Sequence, residues 1–320
     1  MNILIPNIGR RGYLVKYLKN TNSFTGKLFV SDCDNTASGL YSNNDGAFIL
    51  PRIDDGEKEY IESLLELCNK ENIKIVIPVI DPEILILSRE MDTFRKIGIL
   101  LAVSHLDVIN ICYNKISMNK FLANNGFDIP VTFDSIHKFK LDFEKNRVKF
   151  PVIIKPVYGS GSDATYKVNS IKELEALFCE KMVIQEFIDG QEYGIDVFNS
   201  LKKEPLRCII KKKISMRSGE TDKAQTVKDK NIQECIIKLA RKLGHICNLD
   251  CDVIMKGRKI YIIDLNPRFG GGYPATHEAG VNLLKLILDM YEEIEIGPDF
   301  NNYEENLLVM KEVGIVTAKI

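Results

Sequence analysis

Asp252, Asp264 and Asn266 are the residues from which a chemistry is first legible. Residues 251–255 form a short run, Lys256-Gly257-Arg258-Lys259 a turn and residues 260–265 a second run, the pattern of a β-hairpin. Side chains alternate along a strand, so Ile260, Ile262, Asp264 and Asn266 are expected on one face. Asp252 is expected opposite Asp264 or one position off it. Carboxylates and a carboxamide gathered this way repel one another unless a cation lies between them. Hard oxygen donors suit Mg²⁺, with Mn²⁺ as the alternative, and either ion completes its shell with substrate phosphates and water. Arg268 follows directly, where a guanidinium can hold charge on a transferring group.

Other stretches fit the same chemistry. Lys155 precedes Gly159-Ser160-Gly161-Ser162, a loop whose N–H groups and hydroxyls can close on phosphate oxygens. Residues 185–192 (QEFIDGQE) read as a hinge strand whose backbone edge suits a purine, with Glu192 able to accept from ribose hydroxyls. In the basic run Lys211-Lys212-Lys213, alternation puts Lys211 and Lys213 on one face, suited to a phosphate or a carboxylate substrate. A basic edge strand guarded against aggregation would use the same residues. The four histidines show no ligand spacing; His277 follows Gly270-Gly271-Gly272 and is a candidate substrate contact. Gly9-Arg10-Arg11-Gly12 is not a dinucleotide fingerprint.

These residues need elements to position them. Over roughly the first hundred residues, short apolar strands (2–5, 28–30, 73–80, 98–103) alternate with amphipathic helices, which indicates a doubly wound parallel sheet. Helix 113–125, with Asn114 as its cap and Gly126 as its stop, opens a small α+β unit. That unit contains strands 150–156, 164–168 and 182–187 and a helix after the capping box Ser170-x-x-Glu173. Beyond Glu192 the pattern is of antiparallel strands (193–199, 206–214), a helix 231–247 with Ile232, Ile236, Leu239, Leu243 and Cys247 on one face, the hairpin, and a helix near 282–291.

The 320 residues are 45% hydrophobic and 27% charged, the balance of a soluble globular chain of two or three domains. With 43 basic against 44 acidic residues, no overall field favours nucleic acid or a membrane. The 8 cysteines include no Cys-x-x-Cys pair and read as free thiols of a cytoplasmic protein.

Taken in order, Lys115, Lys155, the Gly/Ser loop, the 185–192 hinge, Asp252 and Asp264-x-Asn266-x-Arg268 resemble the ATP-grasp superfamily. They are most similar to the ATP-binding modules of carbamoyl-phosphate synthase large-subunit-like proteins. The resemblance implies a mixed α/β and α+β architecture. A Rossmann-like pre-ATP-grasp domain (1–111) would precede a small lid subdomain (112–188) and a C-terminal catalytic subdomain (189–320). It implies that Lys115 and Lys155 hold the phosphates of ATP and that Gly159, Ser160, Gly161 and Ser162 close over them. Gln185, Glu186, Phe187 and Ile188 would form the adenine edge, with Glu192 at the ribose. Asp252, Asp264 and Asn266 would be the metal ligands. Arg268 would face an acyl phosphate, with Lys213 and Arg217 toward substrate. The family often has Glu where this chain has Asp264, which alters bidentate reach. The implied activity is an ATP-dependent carboxylate–amine ligase acting on small molecules, as a homodimer in many relatives. The alternatives are a single carbamoyl-phosphate-type module working with a partner on bicarbonate or carbamate, and a non-catalytic ATP-binding regulator.

Overall fold

Three sheets organise the chain in a computed structural model that describes residues 1–159 and 164–318. The first is parallel. Its strands run in the order Gly46–Ile49, Leu28–Asp32, Asn2–Ile5, Ile73–Val76, Leu100–Leu101. Asn2–Ile5 is central, with successive strands added first on one side of it and then on the other. The strand ends around Asn2–Ile5 and Ile73–Val76 are therefore the crevice where open α/β sheets bind ligands. Ile3, Ile5, Val30, Ile75 and Ile77 are fully buried, as a strand covered on both faces requires.

Helices Leu106–Tyr113 and Lys115–Asn124 lead into the second sheet. Asn114 caps the latter, its Oδ1 accepting from Ile116 N (2.9 Å) and Ser117 N (3.0 Å), and Gly126 stops it at φ 73°. The second sheet is antiparallel and small, in the order Thr132–Phe133, Met182–Glu186, Val152–Pro156, Tyr166–Val168. Its core joins Phe133, Val152, Ile154 and Ile184 to Phe139 and Leu174 on helices Ile136–Glu144 and Ile171–Leu177.

The third sheet has six antiparallel strands, ordered Lys259–Asn266, Cys247–Lys256, Gln191–Asn199, Pro205–Arg217, Glu220–Val227, Leu308–Met310. One face packs under helix Lys230–Leu243, whose Ile232, Ile236, Leu239, Ala240 and Leu243 are buried against Leu249, Cys251, Val253 and Ile262. The helix ends at Gly244, in the left-handed conformation (φ 65°), short of the expected 247. Cys247 therefore begins a strand and is not on the helix face. Phe198, Ile209 and Cys247 share a core with the first sheet and with helix Leu283–Tyr291. No helix among the described residues is long and apolar enough to cross a membrane.

The hairpin corrects the expected alternation. Asp252 pairs directly with Asp264, but Val253 pairs with Ile262, so Ile263 is an extra residue, a β-bulge. The bulge flips the phase. Ile260, Ile262 and Leu265 enter the core, while Asp264 and Asn266 turn to the opposite face.

Candidate active site

That opposite face lines a cleft of about 480 Å³ between the second and third sheets. Along Cys247–Lys256 the alternation places Asp250, Asp252 and Ile254 in the cleft. Asp264 and Asn266 join them from the next strand, with Arg268 just beyond its end. Glu192 comes from Gln191–Asn199 and Lys213 from Pro205–Arg217. The second sheet supplies Ile153, Lys155, Gln185 and Glu186, followed by Phe187 and Ile188. Ile153, Phe187, Ile188, Met216 and Ile254 make this end of the cleft apolar.

Opposite charges are matched closely. Lys213 Nζ lies 2.7 Å from both Glu192 Oε1 and Asp252 Oδ1. Burial alone would lower the ammonium's pKa, but Asp252 and Glu192 outweigh it and hold Lys213 protonated. Lys155 donates to Ile263 O (3.2 Å), the carbonyl that the bulge exposes. Burial brings its pKa down to about 8 against the opposing charge of Asp264. Lys115, nearly fully buried at the start of its helix, donates to Gly159 O and stands 3.9 Å from Asp264 Oδ1. Gly159 itself sits at φ 83°. Ser160, Gly161 and Ser162 lie outside the described residues. Gln185 is buried with its Nε2 donating to Thr132 Oγ1 (3.1 Å), and Lys167 Nζ stands 3.8 Å over the Phe187 ring.

Arg268 donates from Nε to Asp81 Oδ1 (2.8 Å), on the helix Asp81–Arg89 of the first domain. Its guanidinium also lies 3.8 Å from Asp250 Oδ2. The Gly270 loop passes so close that a Cβ there would stand 2.0 Å from Asp250 Oδ2, which leaves room only for glycine. Burial, then the charges of Asp252 and Asp196, raise the pKa of Asp250. Burial and the neighbouring Glu192 and Asp264 also raise that of Asp252, against the opposing pull of Lys213. Carboxylates strained upward in this way would be relieved by a cation. Among the described residues no group of three or more acidic, histidine or cysteine side chains could hold a metal ion by itself. Asp252, Asp264 and Asn266 offer the hard oxygen donors that suit an ion such as Mg²⁺, which takes few protein oxygens and fills its shell from phosphates.

Several expected residues lie elsewhere. Lys211 does not reach the cleft: it is buried in an ion pair with Asp196, which Thr276 Oγ1 and Asn248 Nδ2 also approach. Arg217 is 59% exposed and paired with Asp222 at 3.3 Å on the neighbouring strand. His277 stacks on Tyr17, ring centroids 3.6 Å apart, and belongs to the contact between helices Gly12–Lys19 and Tyr273–Glu278. Asp250 and Asp81 were missed. Asp250 had a signal, since it stands two residues before Asp252 and so on the same strand face; Asp81 meets Arg268 only through tertiary packing.

Residues 112–272 match the family model for an ATP-grasp domain, half of the chain. The chain belongs to the ATP-grasp family. In this ATP-grasp protein, residues 3–102 match the model for a PylC-like N-terminal domain. It is 27% identical over 166 residues to a D-alanine–D-alanine ligase of Francisella philomiragia, covering 48% of this chain and 53% of that one. It is 22% identical over 303 residues to the carbamoyl phosphate synthase large chain of Clostridium beijerinckii, covering 87% of this chain and 28% of the synthase. It therefore spans about half or less of these relatives' length. A biotin carboxylase structure from Campylobacter jejuni shares the fold, with TM-score 0.75 and 15% identity over 96% of this chain and 74% of that one.

Proposed function

We propose that this chain is an ATP-dependent carboxylate–amine ligase that forms an amide through an acyl phosphate. The arrangement that carries this reading is the cleft in which Lys115, Lys155, Lys213 and Arg268 converge on Asp252, Asp264 and Asn266, next to the apolar slot at Gln185–Ile188. Adenine lies in that slot, and Glu192 accepts from the ribose. Lys115 and Lys155 position the phosphates, together with the loop that includes Ser160, Gly161 and Ser162. Asp252, Asp264 and Asn266 would hold Mg²⁺, which when bound would supply neutralisation of phosphate charge. A substrate carboxylate oxygen attacks the γ-phosphorus, the bond to the bridging oxygen breaks, and ADP leaves. The amine nitrogen then attacks the acyl carbon, phosphate departs, and the amine proton passes to solvent. Lys213 and Arg268 stabilise charge on the transferring group, a fixed field of the kind that accounts for much of enzymatic rate enhancement. The boundaries at 111 and 188 belong to the same reading, as does a homodimer.

The test is ADP release from MgATP by the purified chain, with pooled carboxylates crossed against pooled amines. Release that needs both pools supports the ligase; none under any combination removes it. The match to a carbamoyl phosphate synthase over 87% of the chain favours a second reading, a single module acting on bicarbonate. Release with bicarbonate alone would select that one.

A further inference from the structure

The motif Gly9-Arg10-Arg11-Gly12 is no dinucleotide fingerprint, yet its Arg11 reaches the cleft. It forms the turn after the central strand Asn2–Ile5, at the crevice of the first sheet. The turn is rigid: Gly9 N donates to Asp32 Oδ2 (2.7 Å), Arg11 N donates to Ile8 O (2.9 Å), and Gly9 O accepts from Gly39 N (2.8 Å). Arg11 is thereby carried into the lining of the cleft, near Glu220.

Among the described residues five cationic side chains line the cleft, and four of them are engaged. Lys115, Lys155, Lys213 and Arg268 each donate to a named acceptor. Arg11 makes no side-chain hydrogen bond among the described residues, and its Nε is buried without a partner. Its nearest carboxylate, Glu220 Oε1, is 3.8 Å away, beyond hydrogen-bond reach. Glu220 is already neutralised, since Lys311 Nζ donates to its Oε2 at 3.0 Å. Arg11 and Lys311 thus share one carboxylate, which leaves one positive charge in surplus. Two residues further on, the Tyr13 hydroxyl is also buried without a partner, within the field of Arg11, Glu220 and Arg268. Buried donors of this kind are uncommon in folded chains unless something else completes them.

We propose that Arg11 and Tyr13 form a recognition site for a substrate carboxylate that does not react. One surplus guanidinium balances one singly charged group. A dianionic phosphate would face Glu220 and Asp250 with too little compensation. The inference rests on the ligase reading for its location and deepens it: one of the two substrates carries an additional carboxylate. The acyl donor would then be a dicarboxylate, or the amine would be an amino acid.

The experiment is calorimetry on the full chain with Mg²⁺ and a non-hydrolysable ATP analogue. In the acid arm, succinate, glutarate and adipate are compared with their monoamides. In the amine arm, glycine, β-alanine and 4-aminobutyrate are compared with their carboxamides. In one arm the carboxylate should bind about tenfold or more tightly than its amide, as a charge-assisted hydrogen bond to a buried donor would give. The arm that shows the preference identifies the substrate that carries the group. Arg11→Gln should remove the preference and Tyr13→Phe should reduce it, with the melting temperature and the affinity for the ATP analogue retained. No preference in either arm, or a preference that survives Arg11→Gln, overturns the proposal. Parallel ADP-release assays separate the two readings. An Arg11-dependent preference without turnover rejects the ligase and keeps this site; turnover indifferent to Arg11 does the reverse.

Discussion

The strand Cys247–Lys256 shows two faces of one sheet with opposite characters. Leu249, Cys251 and Val253 lie at 0% exposure beneath helix Lys230–Leu243, where apolar contact stabilises the fold by roughly 1.5–3 kcal/mol per large side chain. Asp250 and Asp252, one residue out of phase, keep only 15% and 20% of their side chains exposed but are ionisable. Charges out of water cost stability unless they are paired, and here they are paired with Lys213 and Arg268. The difference shows that burial alone does not mark a core. The apolar face makes the sheet stable; the charged face draws on that stability to hold groups in a geometry that water would scatter.

The contrast can be broken by moving one face without the other. Asp264→Ala should lower turnover by about a thousandfold, the scale of losing a fixed electrostatic group. Its urea unfolding midpoint should stay near that of the parent chain; retained turnover would remove Asp264 from the metal site. Leu239→Ala, on the covering helix, should cost about 2–5 kcal/mol in urea unfolding with turnover per folded molecule unchanged.

His245 sharpens the contrast from within the core. Burial holds its imidazole down at about 4 from an ordinary 6.5; Nε2 faces Val197 O at 3.2 Å and Nδ1 faces Asn199 Nδ2 at 3.4 Å. The unfolded chain thus binds a proton between these values that the folded chain refuses. Stability is lost as pH falls from 6.5 towards 4, by up to about 3 kcal/mol. His245→Gln should flatten that slope in chemical denaturation; parallel slopes would show that the ring is not held neutral. The smallest effect belongs to Arg217→Ala. An exposed pair with Asp222 is worth under about 1 kcal/mol, and turnover should change by less than about twofold.

Much of this was legible beforehand because the signals were local. Asn114 capping its helix, the parallel strands of the first domain and the order of charged residues along the chain each follow from neighbours in sequence. The failures are those of longer range. The bulge at Ile263 depends on how two strands pair, so alternation alone put Asp264 on the face of Ile260 and Ile262, where the structure turns it to the opposite one. Lys211 and Lys213 share a strand face, yet Asp196 captures the first and Glu192 and Asp252 the second, a division set by strands far away in the chain. Arg11 stood in a motif noted only for what it was not.

The position of Lys213 has a consequence for how ligands arrive. Its ammonium ties Glu192 to Asp252, a ribose partner to a metal ligand on the proposed reading. Before Lys213 can engage a phosphate it must release both. Binding is then a barter of ions, and its driving force is the difference between two paired states. A divalent ion alone would have to displace the ammonium from Asp252 and leave it with Glu192 only, whereas ion and nucleotide together bring a replacement partner. The two should therefore enter as one, and calorimetry of Mg²⁺ without nucleotide should show heat only once Lys213→Met has cut the tie.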